Sequence, residues 1–116
     1  MSITRYLPET RYSEAVTFNG LIFLSGQVPT NPDADIQAQT QDVLSQIDAT
    51  LLALSSNKSK LLDATVYLSN LDVDYAAFNQ IWDAWLPTGQ APARACVEAK
   101  LANPKWKVEI KLIVAQ

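Results

Sequence analysis

Two runs of strand-forming residues meet at Asn19-Gly20, and this dipeptide is the strongest local constraint on how the chain folds. The central residues of a type I′ turn both need a positive φ, which Asn and Gly adopt most easily, so the pair predicts a β-hairpin. We expect its strands to run from about Ser13 to Phe18 and from about Leu21 to Gln27. The stretch from Met1 to Leu7 is predicted to add a short edge strand before them.

The hydrophobic period changes after the hairpin, which indicates two amphipathic helices. In the first, side chains facing one side recur at spacings of three and four: Ile36, Thr40, Val43, Leu44, Ile47, Leu51 and Leu54. Asp33 or Asp35 is placed to cap its start, and Ser55-Ser56-Asn57 is a polar end. The second helix is lined by Tyr75, Phe78, Ile81, Trp82 and Trp85, and it ends before Pro87 and Gly89.

Three further strands complete the chain. "LLDATVYLSNL" is apolar enough to be a central strand covered on both faces, and strands are also expected at about Pro92–Ala99 and Lys107–Ala115. The order β-β-β-α-β-α-β-β predicts one α+β domain over residues 1–116, with two helices on one face of a mixed sheet. Because two helices cover only one face of such a sheet, part of the other is expected to be buried against other subunits.

Composition excludes several classes of function. The 116 residues include no histidine and one cysteine, and nine basic against twelve acidic side chains give a net charge of −3. Ser-His-Asp or Cys-His catalysis and His-ligated metals are therefore excluded, and the charge balance gives no attractive field for nucleic acid. No apolar run reaches the roughly 20 residues that span a bilayer, and "MSITRYLPET" is not a signal peptide, so we expect a cytoplasmic protein without a membrane partner.

Arg94 lies in "QAPARACVEAK", among small and apolar residues. A cation in such surroundings either pairs internally or holds an anionic ligand, and residue types alone do not decide between these. Glu98 and Asp83 are the candidate internal partners. Glu98, however, is roughly 13 Å away along an extended strand, so an internal partner would have to come from another element.

The other reactive side chains are unremarkable by pattern alone. Glu109 lies between two lysines, as a surface residue would, and Cys96 is more typical of a small buried hydrophobe than of a nucleophile. Tyr12 and Ser25 carry no special signal. Trp82 fits helix packing.

Five segments carry a resemblance to a known family: "YSEAV", "LSGQVPTNP", "DATVYLSNLDVDYAAFN", "APARACVEAKL" and "KVEIKLIVA", at 12–16, 24–32, 63–79, 91–101 and 107–115. In this order they resemble the Rid (reactive intermediate deaminase) family, also called the RidA/YjgF family. "SNKS", "WDAW" and "NPKWKVEIK" are similar to its YoaB-type branch.

The resemblance implies a chorismate-mutase-like α+β fold that forms a homotrimer with ligand clefts between subunits. It implies an enamine/imine deaminase that hydrolyses 2-imino acids, such as 2-iminopropanoate and 2-iminobutanoate, to 2-oxo acids and ammonia without cofactor or metal. By position, Arg94 would hold the substrate carboxylate and Glu109 would position or activate water. The matching cleft residues would be Tyr12, Ser25, Gly26, Asn79 and Cys96, the last mainly through its backbone.

Two alternatives stay open. A non-catalytic module that binds small carboxylates such as 2-oxo acids would need Arg94 but not Glu109. The family's older naming as ribonucleases or translation inhibitors is disfavoured by the absence of histidine and the acidic charge. Two departures, Thr10-Arg11 where the family usually has Gly-Pro and the loop "LPTGQ" at 86–90, leave the size of the substrate open.

Overall fold

The computed structural model describes residues 2–116 and consists of a six-stranded sheet with two α-helices on one face. Its strands are β1 (Thr4–Pro8), β2 (Ser13–Phe18), β3 (Leu21–Leu24), β4 (Leu61–Leu68), β5 (Ala93–Glu98) and β6 (Val108–Ala115). The helices are α1 (Ile36–Ala53) and α2 (Leu71–Trp85), with one 3₁₀ turn at Lys58–Lys60. The α+β class and the order of elements are confirmed; of the predicted first strand, Met1 lies outside the described residues.

The sheet has the strand order β1-β2-β3-β6-β4-β5. The β2–β3 hairpin turns at Asn19 and Gly20, which have φ values of 53° and 78°, as the dipeptide predicts. All neighbouring strands are antiparallel except β4 and β5, which are parallel. Because parallel neighbours need a crossover connection, α2 runs back across the sheet between them. This crossover places α2 over the inner face of the edge strand β5.

The helices bury the inner face of the sheet. Asp35 caps α1 by accepting a hydrogen bond from the Ala38 amide at 2.8 Å, which decides between the two predicted caps. Fully or almost fully buried side chains from both layers form one cluster: Val43, Leu44, Ile47 and Leu51 of α1, Phe78 and Trp82 of α2, and Ile22, Leu24, Ala64, Val66, Leu68, Val108, Ile110, Leu112 and Val114 of the sheet. Each large aliphatic chain buried here contributes about 1.5–3 kcal/mol. In residues 2–116 no helix has the length and apolar character that crossing a membrane requires.

No helix or loop of residues 2–116 covers the outer face of the sheet. Thr65 and Tyr67 of β4 point to this face and are only half-buried, so β4 is covered on one face in a single chain and not on both as predicted. Phe23 and Val97 lie on the same face with 37% and 42% of their surface exposed. A partly exposed apolar sheet face of this kind is typical of a surface that associates with another chain.

A β-bulge interrupts β3 before the end that the sequence predicts. Phe23 lies opposite Ile113 while Gln27 lies opposite Ile110, so four steps along one strand face three along the other. The extra residue falls at Ser25-Gly26. The strand therefore ends at Leu24 and not at Gln27, although Gln27 still exchanges backbone hydrogen bonds of 2.8 and 3.0 Å with Ile110. Bulges of this kind re-aim side chains locally.

Gln39 of α1 connects two loops: the loop that follows the bulge and the loop that precedes β6. Its side chain is fully buried, and its amide nitrogen donates to the carbonyls of Pro32, Ala34 and Lys105 at 3.1–3.2 Å. Its amide oxygen accepts from the Lys107 backbone at 2.8 Å. One buried amide thus fixes both the loop after the bulge and the start of the strand that carries Glu109.

We expect Gln39→Leu to lower the free energy of unfolding by about 2–4 kcal/mol, because it leaves four backbone groups in partly buried positions without their hydrogen-bond partner. Gln37→Leu is the matched control, since Gln37 is exposed two residues earlier on the same helix and should change stability by about 0.5 kcal/mol or less. Urea unfolding followed by tryptophan fluorescence measures both. Equal effects of the two substitutions would contradict the role assigned to Gln39.

Candidate active site

Arg94 and Glu109 lie on opposite faces of the sheet. Residues paired across neighbouring strands share a face, and Arg94 is paired with the buried Ala64 on the side of the helices. Glu109 is paired with Tyr67, which faces the uncovered side. Since β4 separates their strands, the two backbones are also roughly 10 Å apart across the sheet. The structure therefore brings the predicted site residues together in two separate groups within one chain.

The first group, the arginine cluster, consists of Arg94 and Cys96 of β5 and Tyr75 and Asn79 of α2. The Nη1 atom of Arg94 donates to Asn79 Oδ1 at 2.9 Å, and its Nη2 atom donates to the Tyr75 hydroxyl at 3.5 Å. Both partners are uncharged. The guanidinium is consequently held in a fixed orientation while its positive charge is not neutralised by a partner.

Three aromatic rings of α2 surround the same guanidinium. The Cζ atom of Arg94 lies 6.0, 5.8 and 5.7 Å from the ring centroids of Tyr75, Phe78 and Trp82. Cation–π contacts at these distances stabilise a half-buried guanidinium without consuming its hydrogen-bond donors. Trp82 packs in the core as predicted, and it also forms part of this enclosure.

The internal salt bridges considered for Arg94 are not formed. In the described part of the chain the one ion pair between side chains joins Lys105 and Asp33 at 3.0 Å. Glu98, the nearer candidate in sequence, instead accepts a hydrogen bond from the Leu71 amide at the start of α2. Among residues 2–116 Arg94 therefore has hydrogen-bond partners but no charged partner, and an unpaired guanidinium of this kind is able to bind an anion.

Cys96 has the character of a structural cysteine. Its side chain is half-buried beside the core, and burial raises the pKa of its thiol, an effect only partly opposed by the charge of Arg94. The thiol is therefore neutral near pH 7 and is a poor nucleophile. Cys96 lines a shallow concavity with Leu71, Asp72 and Tyr75, next to the arginine cluster.

The second group, the bulge cluster, consists of Tyr12, Ser25, Gly26 and Glu109. A Cβ atom on Gly26 would collide with Glu109 Oε2, so the carboxylate rests directly against the bare Cα of the bulge. Ser25 donates its hydroxyl proton to the Ser13 carbonyl at 2.5 Å, which leaves its oxygen able to accept. Tyr12, Ser25 and Gly26 line one concavity together with four other residues: Glu14, Gln27, Val28 and Gln46.

The environment of Glu109 favours its protonated form. Partial burial raises the pKa of its carboxyl above the ordinary value, although the positive charge of Lys111 opposes that shift. The Lys111 ammonium is held two residues away by a hydrogen bond of 2.6 Å to the Leu24 carbonyl. A carboxyl with a raised pKa is better matched to accepting a proton near neutral pH than an ordinary glutamate.

Tyr12 stands at the rim of the bulge cluster. Its side chain is exposed, and its pKa is raised, first because its hydroxyl is hydrogen-bonded to Glu9 and second because the negative charge of Glu9 disfavours a phenolate. Tyr12 also borders a shallow depression formed with Glu9, Thr10 and Arg11. Arg11, one of the two departures from the family pattern, is thus beside the cleft residue Tyr12 and exposed to solvent.

Sequence reasoning placed Tyr75 and Phe78 in the helix core and missed their contacts with Arg94. The missing step is topological: in a parallel β-α-β unit the helix covers the inner face of the following strand, so one face of α2 must meet Arg94. The spacing of Tyr75, Asn79 and Trp82 at four and three residues puts them on that face.

Within residues 2–116 no group of three or more metal-ligating side chains converges.

Comparisons with known proteins agree on one family. Residues 2–116 match the family described as Endoribonuclease L-PSP. The chain is 49% identical over 115 residues to the RutC family protein YoaB of Escherichia coli K12, covering 99% of both chains. It is 48% identical over 113 residues to a RutC family protein of Haemophilus ducreyi, with 97% of this chain and 96% of that one covered. The crystal structure of NMB1025 of Neisseria meningitidis, a member of the YjgF protein family, superposes with a TM-score of 0.96 at 52% identity over 100% of this chain and 96% of that one.

The raised pKa of Glu109 gives a prediction about stability. Between the ordinary glutamate pKa of roughly 4.3 and the higher folded value, the folded state binds more protons than the unfolded state, so stability falls as pH rises through this window. Glu109→Gln removes that dependence. We therefore expect the stability of Glu109→Gln relative to the unsubstituted protein to increase between pH 4 and pH 7, as measured by urea unfolding. A relative stability that decreases over this range would contradict the assigned burial.

Proposed function

This chain belongs to the Rid/YjgF family, in its YoaB-like branch, and from that membership we propose that it hydrolyses reactive 2-imino acids to 2-oxo acids and ammonia. The proposed substrates are small imino acids of the 2-iminopropanoate and 2-iminobutanoate type. The proposed setting is the cytoplasm. The proposed reaction uses no metal and no cofactor.

The observation that carries the proposal is the state of Arg94. Its guanidinium is half-buried, oriented by Asn79 and Tyr75 and surrounded by aromatic rings, yet it has no carboxylate partner in the described residues 2–116. A planar guanidinium in this state binds a carboxylate through two parallel hydrogen bonds. Every 2-imino acid carries a carboxylate next to its C=N bond, so the grip on the acid also orients the reacting carbon.

The chemical step requires one water molecule and one proton acceptor. Water adds to the protonated C=N carbon, and the Glu109 carboxylate accepts the proton that the water loses. The resulting carbinolamine then collapses: protonated Glu109 returns its proton to the nitrogen, the C–N bond breaks as the C–O bond becomes a carbonyl, and the hydroxyl proton goes to the departing ammonia, which leaves as ammonium. Because the imine is already electrophilic, orientation and one carboxylate suffice for catalysis.

We further propose that each site is completed by a second copy of the chain. Arg94 and Glu109 lie on opposite sheet faces, so one chain does not present both to the same small molecule. The uncovered sheet face is partly apolar, as a surface that packs against another copy would be. A homotrimer with clefts between subunits is the proposed assembly, with the arginine cluster from one subunit and the bulge cluster from the next.

A second candidate is favoured by the same arginine. The arginine cluster is complete without Glu109, so a module that only binds 2-oxo acids would use Arg94, Asn79 and Tyr75 alone.

The endoribonuclease activity in the family's description is less compatible with this chain, which has no histidine and a net charge of −3.

Kinetics of the variants separate these functions. An amino-acid oxidase generates 2-iminobutanoate in the assay, and semicarbazide competes for the imine, so a deaminase lowers the rate of semicarbazone formation. We expect Arg94→Ala to lower the rate of enzyme-catalysed imine hydrolysis by roughly 100-fold or more. Arg94→Lys should retain little of that rate, because lysine lacks the bidentate geometry. Arg5→Lys, at an exposed position on β1, is the control.

In the same assay Glu109→Gln should lower kcat while the binding of 2-oxobutanoate stays within about two-fold. Near-normal turnover in both Arg94→Ala and Glu109→Gln would contradict the proposal. If the unsubstituted protein binds 2-oxobutanoate but does not accelerate imine hydrolysis, the result would support the binding module instead.

Subunit mixing tests the two-copy site. Arg94→Ala and Glu109→Gln are each nearly inactive, but random mixed oligomers contain intact sites that take Arg94 from one chain and Glu109 from its neighbour. With equal amounts, about a quarter of the sites should be intact after the subunits are dissociated and reassembled together. Variants reassembled separately and then mixed are the control. If joint reassembly restores no activity, Arg94 and Glu109 do not act together from neighbouring chains, and the two-copy site is contradicted.

A further inference from the structure

We infer that Tyr75 is a second ligand-binding group of the arginine cluster, whose hydroxyl donates a hydrogen bond to the carboxylate that Arg94 holds. The inference rests on the proposed function and adds to it a residue that selects for the carboxylate. It is carried by the contacts of the Tyr75 side chain.

Tyr75 and Asn79 hold the two terminal nitrogens of Arg94 separately. They are four residues apart on α2 and so lie one above the other on the same helix face. Asn79 accepts from Nη1 at 2.9 Å and Tyr75 accepts from Nη2 at 3.5 Å. Each terminal nitrogen has two N–H groups, so each keeps one donor for the oxygens of an incoming carboxylate.

The Tyr75 hydroxyl accepts one hydrogen bond within residues 2–116 but donates none. Toward Arg94 it acts as an acceptor, since a guanidinium can only donate. Its own O–H proton has no protein acceptor within residues 2–116. A carboxylate oxygen bound at Nη2 would be the nearest acceptor, because it would sit beside the atom to which the hydroxyl is already bonded.

The Tyr75 side chain is also accessible to a ligand. It is 44% exposed and borders the concavity that it shares with Leu71, Asp72 and Cys96. Its ring packs on the Arg94 guanidinium with a Cζ-to-centroid distance of 6.0 Å, so the hydroxyl is held in place from one side while the other side is open. The arginine cluster would thus offer a carboxylate three hydrogen bonds, two from Arg94 and one from Tyr75.

Tyr75→Phe tests this arrangement, since it removes only the hydroxyl and keeps the ring against Arg94. We expect the Kd of 2-oxobutanoate, measured by titration calorimetry, and the KM for 2-iminobutanoate to rise about 5- to 20-fold. The value of kcat should stay within about two-fold, because the carboxylate contact is the same in ground and transition states. Tyr6→Phe is the matched control, as Tyr6 is a half-buried tyrosine on β1, and it should change none of these constants.

The outcomes distinguish failure of this inference from failure of the proposed function. If Arg94→Lys weakens binding and Tyr75→Phe does not, the arginine grip stands and the role of Tyr75 is overturned. A lower kcat with an unchanged Kd in Tyr75→Phe also overturns it, because the hydroxyl would then act on the chemistry and not on the carboxylate. If the unsubstituted protein neither binds 2-oxobutanoate nor hydrolyses the imine, the proposed function fails, and the inference fails with it.

Discussion

The burial of one sheet face beneath α1 and α2 is the constraint on which the other features depend. Once Val66 and Ile110 must point into that core, alternation along the strands forces their neighbours Tyr67 and Glu109 to the opposite side. The same rule sends Arg94 inward, because it is paired with the buried Ala64. The division of the polar residues into two clusters is therefore a consequence of core packing, and a site that uses both clusters requires more than one chain.

The arginine cluster shows how a hydrophobic layer can hold a charge that remains available. Burying a guanidinium is costly unless it is paired or hydrogen-bonded. Here the cost is offset by an amide, a phenol and the faces of three rings, none of which carries a charge. An internal carboxylate would have stabilised Arg94 as well, but it would also have blocked the binding of a substrate carboxylate. The neutral partners are thus what makes the proposed ligand grip possible.

The bulge cluster depends on backbone geometry more than on side-chain chemistry. The extra residue at Ser25-Gly26 interrupts β3 and lets the Glu109 carboxylate lie against a Cα that carries no side chain. Gln39 fixes the loop after the bulge and the segment that leads into β6 through four hydrogen bonds. Partial burial raises the pKa of Glu109, and a raised pKa is what the proposed role as proton acceptor would use.

The sequence by itself determined the fold class, the order of the elements and the family. Asn19-Gly20, the period of each helix and the alternation in β6 predicted the class and the order of elements, because these signals are local and depend on backbone preference and burial. Family resemblance supplied only the roles that are predicted for Arg94 and Glu109. Only the tertiary structure decided which neighbours these residues have: within residues 2–116, the bulge at Gly26 and the neutral partners of Arg94, namely Asn79 and Tyr75, all depend on contacts between separate segments of the chain. Such contacts depend on strand register and on the path of the crossover helix, and neither is encoded in a local pattern.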